Sequence, residues 1–425
     1  MAHNGTQPTV NVLRMNQVIR TGVPRTNDGT WVIALGAIVA SLGAYAFQVV
    51  GGRSLGADGF APVATVWTIG FLVYTIAMLP VEQMTTRTVT LRAGEALDGY
   101  TRRQIAITLG GGTVLGVIVA ALGIDRFFSG SASFVAAIAL LLFARALTAV
   151  ARGVMTGRRR FTAYGLTMML ESFALVGLGI VFALADVGAL WFALSLGAAP
   201  LTLLLVRPYL VRTDPGRTAT DVPATAGLLQ LLVVAAALSQ LILAGGPLVV
   251  GLIGGTAAEV SIYFITFTLL RGPITASYPL GTRFLAAMTT ALSEDRPEVL
   301  HTWAARLAGL GGTAALLAGF VSYHILPAII ELLYGSEFRP SAIVGGLGGA
   351  GAVAALAVLF VTQIVIARGR TRDLVIGWMI AAVVAVIILA VSGADPLTRV
   401  AYAFAAGELT AFAVISLTAY RRSAS

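Results

Sequence analysis

Residues 31–52 read WVIALGAIVASLGAYAFQVVGG and carry no charged side chain. An α-helix needs about 20 apolar residues to cross the hydrocarbon of a bilayer. Residues 61–81, 104–124 and 374–394 are equally free of charge. The chain has 425 residues, 57% of them hydrophobic and 11% charged. A water-soluble protein of that size has nowhere to put so much apolar surface. The hydropathy pattern predicts twelve spans, over residues 30–52, 61–82, 104–124, 133–151, 161–185, 187–206, 226–254, 258–281, 303–330, 341–367, 374–392 and 398–420. Breakers occupy most gaps, among them Gly130, Gly157, Gly335 and Gly393.

The charge pattern orients these spans. Every one of the 28 basic residues is arginine. Twenty-two of them fall at the N-terminus, in alternate gaps, or at the C-terminus, in clusters such as Arg87/Arg92/Arg102/Arg103, Arg152/Arg158/Arg159/Arg160 and Arg368/Arg370/Arg372. The other gaps hold only Arg53, Arg126, Arg339 and Arg399, and Arg145 and Arg271 lie inside spans. The positive-inside rule places both termini in the cytoplasm. The net charge of +9 does not indicate nucleic acid, because the arginines form no single patch. The cytoplasmic clusters suit anionic lipid headgroups. The absence of Cys excludes disulfides, thiol catalysis and Cys-ligated metals. The first apolar run is too long for a cleaved signal and reads as the first span. The all-arginine, alanine-rich composition points to a bacterial or archaeal cytoplasmic membrane.

The longest central gap, 207–225, contains Asp214, Pro215, Gly216 and Pro223 and reads as a flexible cytoplasmic linker. The expected organisation is a cytoplasmic tail 1–29, an N-lobe 30–206, the linker, a C-lobe 226–420 and a C-terminal tail 421–425. The halves echo one another. Val49-Val50-Gly51, Pro80 and Met84-Thr85-Thr86 have counterparts in Val249-Val250-Gly251, Pro279 and Met288-Thr289-Thr290. Six spans, a linker and six spans suggest a parallel duplication about an axis along the membrane normal, as in many transporters. The predicted fold is an all-α membrane protein of twelve transmembrane helices, in two pseudo-symmetric six-helix lobes around a central cavity.

Four stretches carry a family resemblance: the outer turn Gly52-Arg53-Ser54-Leu55-Gly56-Ala57-Asp58-Gly59-Phe60; Arg152-Gly153-Val154-Met155-Thr156-Gly157-Arg158-Arg159-Arg160-Phe161; Leu333-Tyr334-Gly335-Ser336-Glu337-Phe338; and Ala367-Arg368-Gly369-Arg370. Their order and spacing resemble the polysaccharide flippases of the multidrug/oligosaccharidyl-lipid/polysaccharide (MOP) exporter superfamily. The resemblance implies two six-helix lobes facing a central cavity, and movement of a lipid-linked glycan across the cytoplasmic membrane. Two branches fit less well. Lipid II flippases crowd charge into the early spans and usually have two more, and drug exporters often carry an acid in the first span, where this chain has only Gln48.

Arginine at mid-span costs a few kcal/mol unless it faces water or a partner. Arg271 is such a residue, followed at once by Gly272 and Pro273, which bend a helix. A guanidinium suits a pyrophosphate through forked hydrogen bonds; the plainer reading is an interhelical ion pair. Arg145 and Glu171 lie at similar depth, roughly 10–15 Å in, on adjacent antiparallel spans. They read as a buried ion pair, or as a pair in which Glu171 takes up a proton and releases Arg145. Glu408, mid-span in the last segment, packs against a polar neighbour or couples to ions. Glu82 closes the second span, at a cavity mouth or simply at the interface. Gln48 and Gln240 can bridge helices by hydrogen bonds. The resemblance puts their spans at the lobe interface, where they could touch sugar.

No enzyme finds a foothold. Gly346–Gly351 matches G-x-G-x-x-G but lacks the βαβ unit that gives the motif meaning. Gly52–Gly56 matches G-x-S-x-G without the strand, acid and His of a nucleophile elbow. No Walker loop is possible without Lys, no metal-ligand spacing occurs, and no cofactor is implied. His324 stands alone in its span and reads as a packing residue. The leading expectation is therefore a flippase for a polyprenyl-pyrophosphate-linked glycan. The alternatives are an ion-coupled exporter of small amphipathic molecules and a scaffold for glycan-assembly enzymes.

Overall fold

The computed structural model describes residues 30–91, 99–206, 226–294 and 296–420. The expected tails 1–29 and 421–425 and the linker 207–225 lie outside the described residues. Thirteen main helices follow in chain order: α1 (Thr30–Val73), α2 (Leu79–Leu91), α3 (Gly99–Leu122), α4 (Ala132–Gly157), α5 (Phe161–Leu184), α6 (Ala189–Ala198), α7 (Ala226–Ala244), α8 (Gly246–Leu252), α9 (Ala257–Ser293), α10 (Pro297–Tyr334), α11 (Ala342–Ala367), α12 (Thr371–Val391) and α13 (Pro396–Tyr420). A π turn, Tyr74–Met78, joins α1 to α2.

Nine helices among the described residues are long and apolar enough to cross a membrane, or ten if the bent pair Val234–Ala244 and Gly246–Leu252 is one span. Their exposed faces carry Leu310, Leu316, Phe320 and Leu332 of α10 and Val383, Val386 and Val391 of α12, side chains that belong in lipid. The 60-residue run Trp31–Thr90 would be about 90 Å long if straight, three times a hydrocarbon core. The helix α9 is 37 residues long and carries Arg271.

Three expected elements take a different form. Residues 52–60 were expected to make a loop; instead the chain stays helical except at Gly56, where φ is 70° and ψ 174°. Glycine adopts that backbone without strain. The seventh span breaks by 65° at Gly245, and Pro247 opens the new helix α8. The sixth span is α-helical only to Ala198 and tightens into a 3₁₀ helix over Ala199–Val206, where Pro200 supplies no N–H to the α ladder.

The apolar core is divided. One cluster, around Phe47, Phe60, Ile138, Leu142 and Phe192, is built mainly from α1 to α6. A second, around Leu300, Val361, Trp378 and Ile415, comes from α7 and α9 to α13. Small residues set the closest crossings. Gly36 and Gly165 bring α1 and α5 into backbone contact, and Ser172 Oγ donates to Val39 O at 3.0 Å one turn further on. The glycine-rich run of α11 serves three neighbours: Gly349 faces Ser322 of α10, Gly348 faces Leu270 of α9, and Gly351 faces the Phe404 ring of α13. Side chains of any size there would drive the helices apart.

Candidate functional site

A cavity of about 290 Å³ opens among the helices of the first half and is closed on one side by α9. Tyr45 and Gln48 of α1 face it, with Trp67 and Phe71 from the arm beyond the Gly56 break and Tyr74 from the π turn. Arg145 and Arg152 enter from α4, Glu171 from α5, and Thr268 and Arg271 from α9. Three arginines and one glutamate make the lining basic.

Arg271 is 8% exposed. Its guanidinium lies 4.4 Å from the centroid of the Phe71 ring, and Nη2 reaches Thr268 Oγ1 at 3.4 Å. Among the described residues no carboxylate comes within ion-pair distance of it. The local backbone is open: Pro273 has no N–H for the Leu269 carbonyl, and the missing side chain of Gly272 leaves room for the Tyr45 hydroxyl. That hydroxyl donates to Thr268 O at 3.4 Å, fastening α1 to α9 beside the arginine.

Glu171 is doubly held. Its Oε1 is 2.6 Å from Arg145 Nη1 and its Oε2 is 2.9 Å from Arg152 Nη2. Arg152 was read from the sequence as part of a cytoplasmic cluster; it is instead buried, at 7% exposure, with its guanidinium 5.5 Å from the Tyr164 ring. It lies seven residues after Arg145, two turns along one face of α4, so the same carboxylate reaches both. Arg145 in turn lies 5.9 Å from the Tyr74 ring.

Glu82 sits behind this group, buried, and is not among the residues lining the cavity. It accepts hydrogen bonds from Tyr74 Oη at 3.1 Å and Tyr164 Oη at 3.0 Å. The outcome is two arginines, two glutamates and two tyrosines interlocked across α2, α4, α5 and the π turn. The tyrosines and Phe71 carried no signal in the sequence, because nothing in a one-dimensional pattern pairs residue 82 with residue 164.

Gln48 lines the cavity, is fully buried, and has no partner for either amide atom. Gln240 does not line the cavity; its amide lies beside Tyr278 with Oε1 unpartnered. Glu408 is fully buried in α13, away from the cavity, with both carboxylate oxygens unpartnered. His324 packs edge-on against Phe320 and Tyr323. No group of three His, Cys, Asp or Glu side chains suited to a metal occurs among the described residues.

No protein-family model and no curated protein matches the sequence. Solved structures do match its shape. An inward-facing multidrug resistance MATE family transporter of the MOP superfamily superposes with a TM-score of 0.60 at 15% identity, over 91% of this chain and 97% of that one. The chain has the MOP-transporter fold. An outward-facing MATE transporter of the same superfamily gives 0.54 at 16% identity, over 93% and 96%. A MOP superfamily transporter from Pyrococcus furiosus, described as having a binding pocket of reverse polarity, gives 0.56 at 14% identity, over 92% and 94%. These MOP structures are transporters rather than enzymes, and they include both inward-facing and outward-facing states. On this fold the basic cavity lies inside the helical body.

Proposed function

We propose that this protein flips a polyprenyl-(pyro)phosphate-linked glycan across the cytoplasmic membrane by alternating access, for cell-surface polysaccharide assembly. The observation that carries this reading is Arg271, a buried guanidinium facing a cavity with no carboxylate to neutralise it. A cation kept there is costly unless something anionic joins it. The cavity's one acid, Glu171, is already shared by two arginines, so the site favours an anion over a cation. Phosphate oxygens suit the forked donors of Arg271, the free amide of Gln48 suits a sugar hydroxyl, and Trp67, Phe71 and Tyr45 offer faces on which a sugar ring can lie. The fold supports the transport mode through its inward-facing and outward-facing relatives.

In this reading the chain comprises lobes 30–206 and 226–420, twelve spans and two cytoplasmic ends, in a bacterial or archaeal membrane. Arginine clusters on the cytoplasmic side meet anionic lipid headgroups, and glycan-assembly enzymes act before and after it. The Arg145–Glu171 pair, and separately Glu408 with neither carboxylate oxygen partnered, supply the groups through which an ion gradient would act.

A second reading, an ion-coupled exporter of small amphipathic molecules, is favoured by the multidrug resistance relatives. The two separate by mass spectrometry of lipid-linked glycans in cells lacking the gene, with leaflet sidedness probed. One intact lipid-linked oligosaccharide accumulating on the inner leaflet supports the flippase. Unchanged glycan lipids together with altered drug susceptibility support the exporter.

A further inference from the structure

At one end of the molecule, helices from the first and second halves of the chain finish one another's hydrogen bonding. Arg53 of α1 forks onto the last turn of α10, Nε to Leu333 O and Nη2 to Leu332 O, each at 2.7 Å. Arg126, in the short helix Ile124–Phe128, reaches the last turn of α8 with Nε, to Gly251 O at 2.6 Å, and the turn beyond it with Nη2, to Gly255 O at 2.7 Å. Two acids do the converse. Glu337, just past α10, accepts from the N–H of Ala57 at 3.2 Å, where the helix restarts after Gly56. Asp58 accepts from the N–H of Ala258 at 3.0 Å, in the first turn of α9.

Signs and places match. The first N–H groups and last carbonyls of a helix have no partner within it, and its ends carry partial positive and negative charge respectively. Here acids meet the N-terminal ends and arginines meet the C-terminal ends, always from the opposite half. Alongside, Phe60 packs against Phe264 and Phe338, with ring centroids 6.1 and 6.5 Å apart. The positive-inside reading assigns this end to the outer face. Arg53, Asp58, Arg126 and Glu337 are all exposed residues, so water can take over their charged groups when the ends separate.

We infer that Arg53, Arg126, Asp58 and Glu337 form a reciprocal helix-capping latch that holds the outer ends of the two halves shut, and that its release is the step that opens the cavity outward. The latch stands on these contacts; its role in opening rests on the alternating-access reading.

The Cys-free chain allows clean spin labelling. One labelled pair, Ser131→Cys with Ser336→Cys, spans the latch; a second, Thr162→Cys with Arg372→Cys, spans the opposite end. Distance distributions are recorded in lipid nanodiscs for the otherwise unaltered chain and for Arg53→Gln/Arg126→Gln. The variant is expected to raise the long-distance population of the latch pair about tenfold, as for loss of one or two net hydrogen bonds, while the opposite pair shortens. Arg53→Lys/Arg126→Lys, which keeps the charge but not the fork, should fall between the two and guards against a folding defect. Superimposable latch-pair distributions in all three proteins overturn the latch. Lengthening at the latch with no change at the opposite end upholds it and instead counts against alternating access.

Discussion

The guanidinium of Arg271 lies 4.4 Å from the ring centroid of Phe71, two side chains drawn from opposite halves of the chain. The ring covers one face of a buried cation and leaves its edge, where the N–H donors are, directed at the cavity. A cation held over an aromatic face is stabilised by about 1 kcal/mol, far less than full desolvation costs, so the arginine remains available for an anion.

Arg271→Ala should therefore lower transport of a phosphate-bearing substrate roughly thirtyfold, as for about 2 kcal/mol of charge-assisted hydrogen bonding. Arg271→Lys should recover part of it, because an ammonium cannot fork. Initial rates in reconstituted vesicles at matched protein level measure both. Full activity of Arg271→Ala would remove the residue from the site.

Phe71→Leu keeps the apolar volume and loses the ring face. It should weaken apparent substrate affinity about fivefold while leaving the unfolding temperature nearly unchanged, consistent with roughly 1 kcal/mol at a single contact. Titration of transport against substrate concentration, beside a thermal melt, tests it.

Glu171→Gln strands two arginines. Breaking a buried ionic group by removing its shared acid costs on the order of 3 kcal/mol, so the variant should unfold at markedly lower temperature in detergent. Adding Arg145→Met should restore part of the loss, since one cation fewer is left unpaired. Equal melting temperatures for the parent and Glu171→Gln would show the group to be solvated rather than structural.

Gly56→Ala forces a side chain into a backbone region essentially reserved for glycine, at about 1–3 kcal/mol, with its Cβ 3.1 Å from Glu337 Oε2. Gly165→Ala drives a methyl group against the backbone carbonyl of Val32, which cannot rotate away; overpacking of this kind costs about 1–3 kcal/mol. Both should lower thermal stability, Gly165→Ala by separating α1 from α5. Gly177→Ala, with open space around it, is the control expected to melt like the parent.

Hydropathy made the membrane helices legible because lipid demands length and apolarity and little else. Depth counting put Arg145 and Glu171 at the same level because both lie a few helical turns from a recognisable charged end. The same counting misplaced Arg152, whose position beside three other arginines looked like an interface cluster until the fold turned it inward. Arg271 stood out because a mid-span charge is rare, whereas Phe71 was one aromatic residue among many. Gln240 and Glu82 have the right chemistry at the right depth but belong to helix faces that turn from the cavity, and the phase of a helix is what apolar composition does not encode.

That phase is set partly by the π turn at Tyr74–Met78. A π turn accommodates one residue more than an α turn, so every later side chain sits one place behind its position in an uninterrupted helix. Were the same residues wound as an unbroken α-helix, Val81 would point where Glu82 now meets Tyr164, and the carboxylate would swing round by about 100°. The buried acid is there because the helix is wound one residue out of step, and rewinding the same residues as a plain α-helix would exchange an anion for a hydrocarbon in the middle of the arginine cluster.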